Sequence, residues 1–284
     1  MTADEASITI RRGRPPDPIT ALPPARRPGA RLWLYTNFDC NLACDYCCAR
    51  SSPQTARRAL GVERVKKIAK AAPAAGVTEI LLTGGEPFML PDLDEIVAAC
   101  TAALPTTLLT NGMLWRGHRL EMLQAMPRDR LTLQISLDSA TPDPHDSHRG
   151  KGTWAKAVAG IRTALGEGFT VRVAATLTTD DRSEERQLRS FLDALGIARE
   201  NQVVRPLAHQ GAADTGVELT VETLVPEVTI TADGVYWHPV GADDDEQLVT
   251  RDIFPLDAAI DLVREQYRNY RNGADAAART FPCA

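Results

Sequence analysis

From Leu32 to Leu207 the chain alternates between short apolar runs and longer amphipathic ones, and that alternation leaves few folds open. The apolar runs, 32–38, 79–83, 106–110, 131–137, 170–177 and 202–207, have the length of buried strands. Between them, 63–75, 90–104, 118–126, 153–167 and 183–195 carry helical spacing; Val65, Ile68 and Ala72 share one face of the first. Pro91 stands near the first turn of the second, where proline is tolerated. Strands and helices in turn predict parallel β-α units. Right-handed crossovers wind six such units into a barrel or partial barrel, whose chemistry sits at the C-terminal strand ends.

Two motifs fall at those ends. After the first strand comes Cys40-Asn41-Leu42-Ala43-Cys44-Asp45-Tyr46-Cys47, a C-x3-C-x2-C spacing. Three thiolates this close together can hold one 4Fe-4S cluster, which normally takes four cysteines. One iron is then left open to a small molecule. A structural zinc site would need four closed ligands, and no second pair or H-x3-5-H follows. A disulfide framework needs an oxidising compartment, and the chain shows no secretory signal. After the second strand comes Thr83-Gly84-Gly85-Glu86-Pro87. Gly-Gly at a strand end lets a ligand approach the backbone closely, and Glu86 would set a carboxylate at that mouth for an ammonium group.

Together the two motifs resemble those of the radical S-adenosylmethionine (radical SAM) enzymes, in order and in context. The resemblance implies an α/β fold, a partial (β/α)6 TIM-like barrel over residues 31–215. It also implies two cofactors, a 4Fe-4S cluster and S-adenosyl-L-methionine chelated to the open iron. Reductive cleavage would yield a 5′-deoxyadenosyl radical that takes a hydrogen atom from the substrate. A low-potential donor, a flavodoxin or ferredoxin, is implied as a partner.

Residue by residue, Cys40, Cys44 and Cys47 match the family's cluster ligands. Tyr46 matches an aromatic position that packs on the adenine, with a loop aromatic on the core as the other reading. Gly84, Gly85 and Glu86 match the motif that binds the methionine amino group. Ser136 matches a fourth-strand position contacting the methionine or ribose, and Asp138 on the same Ser-Leu-Asp segment is read as organising the loop instead. His145-Asp146-Ser147-His148-Arg149-Gly150 resembles a family segment leading into the fourth helix. Arg149 either pairs with the methionine carboxylate or orders the loop through a salt bridge.

Outside the barrel the sequence says less. Residues 1–30, with six prolines and five arginines, read as a flexible lead-in. Residues 216–284 read as a C-terminal extension: a hairpin turning at Asp233-Gly234, then an amphipathic helix over 255–270. It resembles the SPASM/twitch extension of the family, in which cysteines hold auxiliary clusters. Here His238 stands where such a cysteine is expected and only Cys283 follows, so the extension reads as degenerate and without its own cluster. Cys48 reads as a packing or cavity thiol and Cys100 as a small buried hydrophobe.

The 44% hydrophobic and 24% charged composition is that of an ordinary globular chain, and a net charge of −5 does not suggest a nucleic-acid binder. No run approaches the ~18 apolar residues of a membrane span. Six cysteines, three in one loop, fit the reducing cytoplasm. The expected activity is radical tailoring of a peptide or small molecule. The alternatives are an enzyme of cofactor or nucleotide biosynthesis, like the molybdenum-cofactor cyclase, or a non-catalytic cluster-bearing scaffold.

Overall fold

In the computed structural model, which describes residues 17–179 and 181–280 (273–280 by backbone alone), the six expected strands form one parallel array. They are β1 (Arg31–Tyr35), β2 (Glu79–Thr83), β3 (Thr106–Thr110), β4 (Leu131–Ser136), β5 (Thr170–Leu177) and β6 (Gln202–Pro206), each paired in parallel with the next. The crossovers run through α1 (Val62–Ala71), α2 (Leu93–Ala103), α3 (His118–Ala125), α4 (Pro142–Arg149), α5 (Thr153–Gly166) and α6 (Arg182–Ala194). This is the α/β architecture of a partial TIM-like barrel.

Period-two alternation divides each strand between two faces. Leu32, Leu34, Ile80, Leu82, Leu108, Leu133, Ile135, Val171 and Val173 join the helices in one apolar core. The alternate residues, among them Tyr35, Leu81, Gln134, Ser136, Arg172 and Arg205, line the opposite, inner face. That face is the more polar one, which suits a chamber rather than a second core.

Three expectations change. Residues 17–30 are anchored, not loose: Ile19 and Ala30 are buried, and Arg264 Nε donates to the Pro28 carbonyl at 3.0 Å. Arg268 pairs with Asp17 at 3.1 Å. Residues 1–16 and Cys283 lie outside the described residues. The segment that forms α4 was not among the expected helices. Pro142 and Pro144 fall in its first turn, where backbone N–H groups have no intrahelical acceptor to lose.

The third change concerns the extension. After the short pair β7 (Ala208–His209) and β8 (Val217–Glu218), the expected hairpin forms from β9 (Thr229–Ile230) and β10 (Val235–Tyr236). β9 then pairs in parallel with β1, and β11 (Leu248–Thr250) pairs with β10. The extension is therefore continuous with the barrel sheet, in the order β11-β10-β9-β1-β2-β3-β4-β5-β6. An uncovered edge at β1 would leave a row of unpaired N–H and C=O groups, and the hairpin removes it. The long helix α7 (Leu256–Thr280) closes over this join, with Trp237 set edge-on to Tyr270 at 5.7 Å between ring centres.

Candidate active site

The chain leaves β1 into a segment fixed almost wholly by Asn37. Its Nδ2 donates to the Asp39 carbonyl at 2.8 Å, the Asp39 carboxylate at 2.9 Å and the Glu86 carbonyl at 3.2 Å. The Gly85 and Glu86 amides donate back to the Asn37 and Asp39 carbonyls, both at 3.0 Å. The two strand-end loops thus lie backbone on backbone. The two glycines are required for it: a Cβ on Gly85 would stand 2.0 Å from the Asp39 carbonyl oxygen, and one on Gly84 2.5 Å from that of Asn37. The approach that the sequence reserves for a ligand is spent here on the neighbouring loop.

Glu86 also differs from its expected place. It is 0% exposed, not at an open mouth. Its carboxylate accepts from the Phe88 amide at 3.0 Å, the Thr110 hydroxyl at 2.7 Å and the Asn111 amide at 2.8 Å. Burial pushes its carboxyl up from the ordinary range, against those three bonds, which favour the charge. The side chain ties the end of β2 to the end of β3. Asn111, so fixed, donates to the Asn41 side chain at 2.8 Å and braces the cysteine loop.

Tyr46, Asp138 and Arg149 meet in a second brace. The Asp138 carboxylate accepts from the Tyr46 hydroxyl, from Arg149 Nε at 2.6 Å and Nη2 at 3.2 Å, and from the Thr176 amide at 3.0 Å. Burial alone would raise the Asp138 carboxyl, but the adjoining guanidinium overcomes it and holds the group below its usual range. Arg149 also lies over the Tyr46 ring, 5.4 Å from its centre. One carboxylate therefore joins the cysteine loop, the end of β4, α4 and the end of β5. His148 adds a bond to Asp45 at 2.9 Å. His145 is fully buried and held neutral, its pKa lowered to about 4 by burial, and its Nδ1 accepts from the Asp138 amide at 3.2 Å.

Between the two braces lie Cys40, Cys44 and Cys47, all free thiols. The Leu42 amide donates to Cys40 Sγ at 3.4 Å, and the Ser51 amide to Cys47 Sγ at 3.3 Å. Backbone N–H groups aimed at sulfur favour the thiolate and tune a cluster bound to it. Burial pushes the Cys40 thiol up to about 12 and the Cys44 thiol up to about 11, with neighbouring thiols adding to the effect. Such thiols keep their protons until a cation takes their place. Among the described residues no three side chains converge closely enough to hold a single metal ion. A 4Fe-4S cluster is wider than an ion, and three spaced sulfurs, two of them met by amide donors, suit it.

Ser136 stands on the inner face at the end of β4, half-buried, and its side chain makes no hydrogen bond among the described residues. The sequence reading missed Asn37, while the loop-organising role it gave Asp138 agrees with the bonds found; a polar residue before a motif gives no signal of what it will hold. A cavity of about 520 Å³ lies between Lys67 on α1 and Phe254–Asp257, away from the cysteines and mostly apolar.

The Radical SAM superfamily model matches residues 34–195. Among curated proteins, the chain is 37% identical over 147 residues to the antilisterial bacteriocin subtilosin biosynthesis protein AlbA of Bacillus subtilis (strain 168), covering 50% of this chain and 32% of that one. It is 31% identical over 172 residues to the GTP 3′,8-cyclase of Yersinia pestis, covering 58% and 52%. The chain thus spans a third to a half of the length of these relatives. Among solved structures, Streptococcus suis SuiB bound to S-adenosylmethionine superposes with a TM-score of 0.57 at 21% identity, over 68% of this chain and 44% of that one. The anSMEcpe structure with bound AdoMet and Cp18Cys peptide reaches 0.62 at 12% identity, over 85% and 81%. At these identities the likeness is one of fold.

Proposed function

The chain belongs to the radical SAM superfamily, and on that premise we propose that it cleaves S-adenosylmethionine reductively to tailor a peptide substrate. The observation that carries the reading is the thiol triad itself: Cys40, Cys44 and Cys47 on one loop, two of the sulfurs met by backbone amides, at the C-terminal ends of the strands. When bound there, a 4Fe-4S cluster supplies low-potential electrons and an open iron for S-adenosylmethionine. The protein's own part is positional. Asn37 and Glu86 fix the loop on one side and Asp138 on the other. In this reading the backbone of Gly84–Glu86 takes the methionine amino group, Tyr46 presents its ring to the adenine, Ser136 reaches the methionine or ribose, and Arg149, besides its bond to Asp138, reaches the methionine carboxylate. Water and stray hydrogen donors must stay out, which the covered inner face of a barrel favours.

A peptide substrate is supported by the relatives. AlbA is named for bacteriocin biosynthesis, and SuiB was solved with a precursor peptide. The second reading, cofactor or nucleotide biosynthesis, is supported by the longer match to GTP 3′,8-cyclase. Both need a flavodoxin or ferredoxin as electron donor, and both suit a cytoplasmic setting. No helix among the described residues is long and apolar enough to cross a membrane.

The test is anaerobic reconstitution with iron and sulfide, then dithionite and S-adenosylmethionine. We expect about four irons per chain and release of 5′-deoxyadenosine, and we expect Cys44→Ala to lose both. Release of the nucleoside by Cys44→Ala would sink the assignment. Candidate peptides then separate the two readings, since only a peptide enzyme speeds release when one is added.

A further inference from the structure

Two polar side chains stand next to each other on the inner face, and nothing in the fold uses either. Gln134 on β4 and Arg172 on β5 are register partners in the parallel ladder. Their chain neighbours Leu133, Ile135, Val171 and Val173 enter the apolar core, so alternation turns Gln134 and Arg172 together to the other side. Adjacent strands lie about 5 Å apart, which puts both side chains within reach of one ligand.

Gln134 is 7% exposed, and its carboxamide makes no hydrogen bond among the described residues. Arg172 has a buried Nε without a partner, and its guanidinium forms no ion pair among the described residues. Nearly all buried polar groups in folded proteins are paired, so two orphans in register need a reason. Their neighbours supply no partner. Leu109 on β3 stands in register with Gln134 on its other side. β6 begins its pairing opposite Val173, so no β6 residue is in register with Arg172. The carboxylates of this side of the sheet are engaged elsewhere. Near the N-terminal strand ends, Glu227 holds Arg31 and accepts from Trp33 Nε1 at 2.5 Å. Glu79, three strands from β5, accepts from the Thr107 hydroxyl at 2.9 Å. At the C-terminal ends Asp138 is held by Arg149.

The next register step towards the C-terminal strand ends carries Ser136 and Ala174 on the same face. Ala174 is small and leaves room beside it, and Ser136 is the half-buried, unbonded hydroxyl already described. Two residues of strand separate the layers, so Gln134 and Arg172 lie about 7 Å below Ser136. A ligand with its charged end on this pair extends past Ser136 to the strand ends, where the cysteine loop lies.

We propose that Arg172 and Gln134 form an anchoring subsite for a carboxylate of the substrate, one layer beneath the place of the cofactor. The inference rests on the reading that the barrel interior receives the substrate. An unneutralised guanidinium selects an anion, and its planar fork fits the two oxygens of a carboxylate. The carboxamide N–H of Gln134 supplies a further donor to the same group. Phosphate sites are more often built on backbone N–H nests or helix N-termini, and mid-strand residues offer neither. In a peptide the carboxylate is that of an acidic side chain or of the chain terminus. Held at this depth, it anchors the far end of the substrate and leaves the reacting carbon towards the cysteine loop.

The experiment is calorimetric titration of the anaerobically reconstituted chain, with S-adenosylmethionine present and no reductant. Three probes are compared. N-acetylglutamate α-amide carries a side-chain carboxylate, N-acetylglycine a terminal one, and N-acetylglutamine α-amide none. We expect an acid to bind in preference to the amide, and the tighter of the two acids identifies the source of the carboxylate. Arg172→Gln is expected to weaken that acid about tenfold and Gln134→Leu about threefold, with the amide unaffected. Arg172→Gln is also expected to keep parental affinity for S-adenosylmethionine and a melting temperature no lower than the parent's, since it removes an unpaired buried charge. An arginine kept for the fold would lose stability on replacement; one kept for a ligand does not. Equal binding of acids and amide, no binding of either acid, parental acid affinity in Arg172→Gln, or a lower melting temperature in that variant each overturns the proposal. A fall in its affinity for S-adenosylmethionine also overturns it, by giving the fork to the cofactor. Inorganic phosphate binding more tightly than either acid, and through Arg172, overturns the carboxylate assignment. None of these readouts needs turnover, so failure here is distinct from failure to release 5′-deoxyadenosine.

Discussion

Asp138 shows what a single charge does at this site. Burial works against its ionised form, and Arg149, Tyr46 and the Thr176 amide more than offset that. Its carboxyl therefore titrates lower in the folded chain than in the unfolded one. The stability it lends is complete above the ordinary carboxylate pKa of ~4 and is lost as the pH falls through the lower folded value. We expect Asp138→Asn to destabilise the chain by about 3 kcal/mol at neutral pH, because it strands a buried guanidinium. The difference in urea midpoint from the parent chain should narrow below pH ~4. A gap that stays constant into acid would place the loss in shape rather than in charge. Glu86 makes the complementary point. Its motif was legible, but its side chain is used up by Phe88, Thr110 and Asn111, so its removal acts first on the two loops it joins.

At the scale of elements, function depends on two loops from different strands lying flat on each other. Gly85→Ala would bring a Cβ to 2.0 Å from the Asp39 carbonyl, and backbone cannot swing aside as a side chain does. We expect a loss of about 3 kcal/mol and a fall in iron retained after reconstitution, read by melting and metal analysis. Ordinary stability with full iron would show that the two loops separate without consequence. α4 belongs to the same scale. It docks on the cysteine loop through Arg149, His148 and the Asp45 amide bond to the His148 carbonyl at 3.2 Å. Its prolines hid it from a periodicity reading, since they mark breaks in mid-helix and starts in a first turn.

For the whole molecule, the question is whether 31–215 is a unit and 216–284 an appendage. The sheet argues for one body. β9 gives β1 its second partner, and the Val228 carbonyl accepts from the Trp33 amide at 2.9 Å. We expect a chain ending at residue 215 to be recovered mainly as aggregate, because it uncovers the β1 edge and the apolar surface beneath α7. A soluble, monomeric truncation with a cooperative melt would instead establish a self-standing barrel.

The sequence by itself determined the periodicities and the motifs. The six strands and five of the six crossover helices follow from apolar spacing, which is local, and β2, β3 and β5 fall on their expected limits. The cysteine spacing and the Gly-Gly-Glu-Pro run are also local, so they were legible without a fold. Only the tertiary structure decided what the polar residues do. Asn37, Glu86, Asp138 and Arg149 take their roles from partners many residues away, and a buried hydrogen bond leaves no periodic trace along the chain. The place of the C-terminal hairpin was decided in the same way, because which edge a strand joins depends on which edge is open.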